Sequence, residues 1–254
     1  MHAFLLGPFV CNMGESSVVP SATKPRQLLA LFVLQQGRVQ PVEILADELW
    51  GGESPPSAQT TLQTYILQIR RLLGRALCIP GDGGAKTILR THKNGYVLAA
   101  GTLSSDITEF HHTRALGQLA MDDRDWEGAS RQLSAALALW NGEPLVDVPA
   151  GNVLKYEVMR LIEDKHATEL ELIEASIHMG RSARLLPELR VLSARDPKDE
   201  SLCGLLMKAL YHTGGASHAL SVYSKTRHQL VNDLGIEPGP ALRRIHQSVL
   251  EQSL

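Results

Sequence analysis

Between residues 58 and 73 the chain reads AQTTLQTYILQIRRLL. Leu62, Tyr65, Ile66, Ile69, Leu72 and Leu73 recur at helical spacing and predict one apolar stripe. At about 100° per residue, Thr61, Thr64, Gln68 and Arg71 fall within a sector of about 80° on the other side. A solvent face usually mixes Glu with Lys, yet this window contains no carboxylate. Upstream, the short apolar runs of residues 3–19, broken by GP and NMGESS, predict two or three small strands. TKPRQLLALFVLQQGRV predicts a helix over 27–36, with Thr23 as its N-cap and Gly37 as its stop. QPVEILADELWGG predicts a second helix, with Pro41 in its first turn, Ile44, Leu45 and Leu49 on its core face and Gly51-Gly52 at its end. After the stiff link ESPPSA and the third helix, GDGG reads as a loop. TILRTHKNGYVLAA then reads as a hairpin, with strands over 87–91 and 96–99 joined through Lys93, Asn94 and Gly95. Strands, helix, helix, short connection, helix and hairpin make a winged helix-turn-helix. The third helix is its reader and the hairpin its wing.

From about Asp106 onward the pattern is almost entirely helical, with weak repetition. Ala129, Leu133 and Ala136 share their offsets with Ala219, Tyr223 and Thr226. Leu185, Leu189 and Leu192 sit between at similar offsets, and Pro197 closes that unit. Leu185 and Ala219 are 34 residues apart, the tetratricopeptide period. Ala129 and Leu185 are 56 apart, so an insertion is expected around WNGEPLVDVPAGN and a long helix over 153–179. The expected architecture has two domains: an α+β winged helix-turn-helix over 1–100, then an all-α tetratricopeptide-like helical repeat domain over 106–254. A short linker near AAGTLSSD joins them. Stacked helical pairs build grooves that take proteins or peptides.

Bulk properties narrow the classes. A chain of 254 residues holds one large or two ordinary domains. With 44% hydrophobic and only 5% aromatic residues it has a globular, helix-leaning composition. Cys11, Cys78 and Cys203 are few, odd in number and far apart, which argues against a disulfide framework or zinc finger and fits a reducing cytosol. The apolar start MHAFLLGPFV lacks a basic leader and meets Gly-Pro early, so it reads as a strand. No run approaches membrane-span length. A cytoplasmic location is therefore expected. Residues 1–100 hold 9 Lys and Arg against 6 Asp and Glu, whereas residues 101–254 hold 16 against 21. The first half is suited to nucleic acid and the second is not.

The third helix carries matching chemistry. Gln can pair bidentately with adenine, Arg with guanine, and a Thr methyl can touch thymine. Thr61, Thr64, Gln68 and Arg71 put these groups on one stripe, with no carboxylate to repel phosphate. Leu67 lies beside them, either against a thymine methyl or simply exposed. Arg90, His92 and Lys93 sit on the wing, within reach of phosphate or the minor groove. GDGGAKT lacks the spacing of a phosphate-binding loop and precedes an expected strand. His111-His112 has no partner at metal spacing, and neither GxSxG nor HExxH occurs. Asp122-Asp123 and the Glu169/Glu171 pair read as solvated charge. Trp126, Trp140 and Tyr211 read as packing anchors. No enzyme activity, cofactor or metal is expected.

FLLGPF (4–9), KPRQLLALFVL (24–34), ELWGGESPPSAQTTLQTYILQIRRLLG (48–74) and NGYVL (94–98) resemble an OmpR/PhoB-type winged helix. ALALWNGEPLVDVP (136–149), DPKDESLCGLLMKALYHTG (196–214) and LVNDLGIEPGPALRRI (230–245) resemble a bacterial transcriptional activation domain. Together the chain is similar to the small members of the Streptomyces antibiotic regulatory protein family. The resemblance implies a pathway-specific activator of secondary-metabolite gene clusters. Such a protein binds direct repeats in double-stranded promoter DNA near the −35 region, as a homodimer on DNA, and helps RNA polymerase holoenzyme engage through its sigma or alpha subunit. It implies base contacts from Thr61, Thr64 and Gln68 and a backbone contact from Arg70. Lys24 and Arg26 are candidates for phosphate contact. Gln68 departs from the arginine of relatives, so a guanine preference does not carry over. The competing reading is a helical-repeat interaction adaptor whose winged helix does not bind DNA. On the activator reading, a chain cut after about residue 100 should keep DNA recognition and lose activation.

Overall fold

The computed structural model describes residues 1–77 and 83–254, so Cys78 and the start of the GDGG segment lie outside the described residues. Two compact units form: Met1–His112 with Ala136–Lys165, and Thr113–Ala135 with His166–Leu254.

In the first unit, β1 (His2–Phe4), β2 (Val10–Met13), β3 (Ser16–Ser17) and β7 (Ser104–Ser105) form a sheet ordered β3-β2-β1-β7. The β1–β2 and β2–β3 pairs are antiparallel, and β7 runs parallel to β1. The expected linker therefore contains a strand: Ser105 sits opposite Ala3. Helices α1 (Thr23–Leu34), α2 (Val42–Trp50) and α3 (Ala58–Ala76) follow. A second sheet of β4 (Gln40–Pro41), β6 (Gly95–Leu98) and β5 (Leu89–His92) closes the winged helix in the order β4-β6-β5. The core gathers Leu28, Leu31 and Phe32 from α1, Leu45 from α2, Leu62, Ile66, Ile69 and Leu73 from α3, and Leu89 and Leu98 from the wing. It also includes Leu145, Val148 and Leu154, which lie far along the chain.

Several local expectations change. Helix α1 starts at Thr23 itself. Ala22 occupies the N-cap position in extended conformation without a side-chain cap, so Thr23 caps nothing. Pro41 belongs to β4 and precedes α2. Ile44 is 41% exposed, because the buried face of α2 runs through Leu45, Glu48 and Leu49, at i, i+3 and i+4. Gly51 ends α2 in the left-handed region, at φ 60°, where a Cβ would be strained. Residues 83–88 form a short helix, α4 (Gly83–Ile88), not the start of a strand. Burial of Ala85 and Ile88 overrides the β-branched preference of Thr87 and Ile88.

Beyond the winged helix come α5 (Asp106–Asp122), α6 (Trp126–Leu137) and α7 (Asn152–His178). Helices α8 (Ser182–Arg195), α9 (Glu200–His212), α10 (Ala216–Leu234) and α11 (Pro240–Leu250) complete the chain. Six of the nine repeat positions read from sequence are core positions, and Leu185, Leu192 and Tyr223 are partly buried against the core. Ala129, Leu133, Ala136, Leu189 and Ala219 are fully buried, and Thr226 is nearly so. In the second unit one cluster joins Leu189, Cys203, Met207, Ala219 and Leu242, and another joins Ala129, Leu133 and Ala175. The fold is thus an α+β winged helix-turn-helix followed by an all-α repeat region. In packing, however, residues 136–165 belong with residues 1–112.

Candidate nucleic-acid interface

Helix α3 buries Leu62, Ile66, Ile69 and Leu73 against the first unit's core. Its outward side is polar because nothing apolar remains to be covered there. Thr64 and Arg71 are exposed, while Thr61, Gln68 and Leu67 are half-buried at the flanks. The Thr64 hydroxyl donates to the Thr60 carbonyl at 3.0 Å, which leaves its methyl and an acceptor lone pair facing outward. Gln59, Thr60 and Gln63 are also exposed and extend this surface toward the helix start. The stripe read from sequence omits them. The absence of carboxylates from the whole window could have found them.

The wing is tied to the helix by Arg70. Its Nε and Nη2 donate to the Leu89 carbonyl at 2.9 and 2.7 Å, and Nη2 also donates to Thr91 Oγ1 at 2.8 Å. The guanidinium lies 5.8 Å from the Tyr96 ring centroid. Arg70 therefore sets the distance between reader and wing. In the hairpin His92 sits opposite Gly95, and a Cβ at Gly95 would collide with the backbone carbonyl of Gln40. Arg90, His92 and Lys93 are exposed, and Arg90 Nε donates to the Thr87 carbonyl at 2.9 Å. An open groove of about 480 Å³ runs between Gln59 and Gln63 on α3 and His92, Lys93 and Asn94 on the wing. Reader and wing thus share one polar surface, cationic on the wing side, with the exposed Glu43 of α2 as the one acid lining the groove among the described residues.

Lys24 and Arg26 are drawn into scaffold contacts. Lys24 Nζ sits 4.7 Å over the Trp50 ring. Arg26 donates through Nη1 to Asp147 at 2.9 Å and through Nε to the Pro20 carbonyl at 3.3 Å. The same Asp147 accepts the Phe9 amide at 2.7 Å. A buried carboxylate also braces the motif. Glu48 is 2% exposed and accepts the amides of Gly151 at 2.7 Å, Val153 at 2.8 Å and Leu154 at 3.3 Å, at the start of α7. Gln27 Nε2 donates to its carboxylate at 3.0 Å and to its backbone carbonyl at 2.7 Å. A carboxylate at a helix N-terminus satisfies orphan donors and complements the helix dipole. A Cβ at residue 151 would collide with Glu48, so Gly151 is required for this approach. Sequence reasoning missed Glu48, whose partners lie about a hundred residues away.

The other signals stay structural. Lys86 and Thr87 lie on α4, and the Thr87 hydroxyl donates to the Gly84 carbonyl at 2.7 Å. His111 pairs with Asp164 at 3.3 Å, and Glu171 accepts from Arg114 at 3.0 Å. Trp126 stacks on His178 with centroids 4.1 Å apart, and Trp140 meets Phe110 edge-on at 5.3 Å. Among the described residues no group of three or more His, Cys, Asp or Glu could hold a metal, and no helix is long and apolar enough to cross a membrane.

A winged helix-turn-helix joined to an all-helical repeat region defines a class, the two-part transcriptional regulators. Comparison with known proteins agrees. Residues 16–98 match the family described as transcriptional regulatory protein, C terminal. Residues 105–250 match the bacterial transcriptional activator domain. The chain is 42% identical over 250 residues to regulatory protein DnrI of Streptomyces peucetius, covering 98% of this chain and 92% of that one. It is 33% identical over 249 residues to transcriptional regulator RedD of Streptomyces coelicolor, covering 98% and 70%. It is also similar to the solved structure of Mycobacterium tuberculosis EmbR in complex with a low-affinity phosphopeptide. There the TM-score is 0.87 at 32% identity, covering all of this chain and 65% of that chain. The chain belongs to the Streptomyces antibiotic regulatory protein family of transcriptional activators, in its small form.

Proposed function

We propose that the chain binds promoter DNA sequence-specifically and activates a secondary-metabolite gene cluster. On this reading α3 enters the major groove. Thr61, Thr64, Gln68 and Arg71 contact base edges, and Gln59, Thr60 and Gln63 line the same surface. Arg90, His92 and Lys93 meet the backbone or the minor groove. Lys24, Arg26 and Arg70 support backbone contact mainly by holding the scaffold and the wing in place. Residues 1–100, braced by residues 136–165, carry the reading function, and the rest of residues 106–254 the activating one. Two copies on direct repeats near the −35 region present the helical region to RNA polymerase holoenzyme, through its sigma or alpha subunit. Holding it there raises the effective concentration of weak contacts.

The observation that carries this reading is the carboxylate-free exposed face of α3 beside a cationic wing. The test is selection of binding sites from a pool of random duplexes by the full chain. A repeated motif should emerge, with affinity falling steeply as salt rises. Gln68→Ala and Arg71→Ala should each weaken the selected site by about 1–3 kcal/mol and relax preference at one base. A pool that stays random would remove the reading in favour of a protein-binding adaptor.

A further inference from the structure

The second unit holds an open groove of about 560 Å³, walled by α8 and α10 over a floor from α9. Ala194, Pro197 and Val222 give it apolar surface over Leu206 and Leu210, each only 4% exposed. Arg190, His218 and Lys225 are exposed along it, and no carboxylate lines it. Several acids of the same unit are engaged elsewhere, and Asp196, beside the lining residue Pro197, accepts the Lys198 amide at 3.3 Å. Asp199 accepts the Leu202 amide at 3.0 Å and faces His166 at 2.9 Å; Asp233 pairs with Lys198 at 3.0 Å; Glu237 takes Arg227 at 2.6 Å. Among the described residues Arg190 and Lys225 have no ion-pair or hydrogen-bond partner. Residues 101–254 hold more acids than bases, 21 against 16, so this gathering of cations runs against its own half of the chain.

We propose that this groove docks an acidic peptide segment of a partner protein. An apolar side chain of the segment seats against Ala194, Pro197 and Val222, while flanking carboxylates meet Arg190 and Lys225. The groove is open along its length and walled by helices, which suits an extended or helical segment better than an enclosed small molecule. Desolvation by the apolar floor strengthens the charge contacts at its edge. The proposal deepens the activator reading by giving the helical region's partner a chemistry. It rests on that reading only in taking the partner to be a protein.

The experiment selects from a displayed library of random peptides about 12 residues long, against the full chain and against the full chain carrying Arg190→Glu and Lys225→Glu. Both changes fall on exposed side chains, and equal thermal midpoints check that the variant folds. The expected result is enrichment of Asp and Glu around a Leu or Phe with the unaltered chain. A synthetic copy of the best peptide should then bind at least about tenfold more weakly to the double variant and lose affinity as salt rises. Lys225→Gln should give an intermediate loss. No enrichment, enrichment without acids, or equal binding to both chains overturns the proposal. The random-duplex selection, run on the same two chains, keeps the readings apart. Recovery of one DNA motif by both chains with no acidic peptide sinks the groove alone, whereas acidic peptides without a DNA motif sink the DNA reading alone.

Discussion

Arg70 was legible as a cation near the end of a helix, but its partners were not. Its hydrogen bonds to Leu89 and Thr91 join residues about twenty positions apart, and only the fold brings them together. The expected consequence is specific. Arg70→Lys should lose part of the DNA affinity and Arg70→Ala most of it, because a lysine cannot reproduce a forked contact. Amide exchange across β5 should speed up in parallel, and unchanged exchange would argue that Arg70 acts on DNA directly. Two histidines make a different point. His178 stacks on Trp126 and His246 on Tyr223, and burial holds both below the usual histidine value of about 6.5. In the unfolded chain both protonate more readily, so their contribution to stability is full above that value and is lost as pH falls through it. Urea midpoints should therefore drop as pH falls below about 6.5, and the double variant His178→Phe, His246→Phe should show a smaller drop than the unaltered chain.

At the scale of elements, periodicity served best where one face is buried and the other is wet. Helix α3 is such a case: its stripe of Leu62, Ile66, Ile69 and Leu73 was readable, and all four are core. It failed where a polar residue occupies a core position. Ile44 looked like core and is exposed, because Glu48 takes the inward place on α2 to meet the first turn of α7. It failed again at residues 83–88, where a local β preference loses to packing. The Glu48 contact is a stability element as well as a geometric one. Glu48→Ala would leave the amides of Gly151, Val153 and Leu154 and the Gln27 side chain without their acceptor, and should cost about 3 kcal/mol. A urea titration of the full chain measures it. A loss below about 0.5 kcal/mol would mean that water replaces the carboxylate freely.

At the scale of the molecule, the order of elements and the resemblance both divide the chain near residue 100, and the family matches at 16–98 and 105–250 follow the same division. The packing does not. Asp106 accepts the amides of Leu5 and Leu6, Asn141 donates its amide to the Leu6 carbonyl, and Leu145, Val148 and Leu154 complete the first core. Contacts across about a hundred residues leave no trace in local pattern, so sequence reasoning sees the boundary and not the bracing. A chain ended after residue 100 should accordingly melt well below the full chain and bind DNA poorly, which revises the expectation of retained recognition. Full-strength binding by that fragment, with an unchanged melting profile, would make the bracing dispensable.

The bracing also redraws where a genetic screen would strike. Selecting for loss of promoter occupancy should return lesions not only in the reader and wing but also in a short stretch centred on Asp147 and Gly151, inside what looks by alignment like the activating half. Alleles there would be scored as activation defects by position, while their actual fault is a reading head that no longer holds its shape.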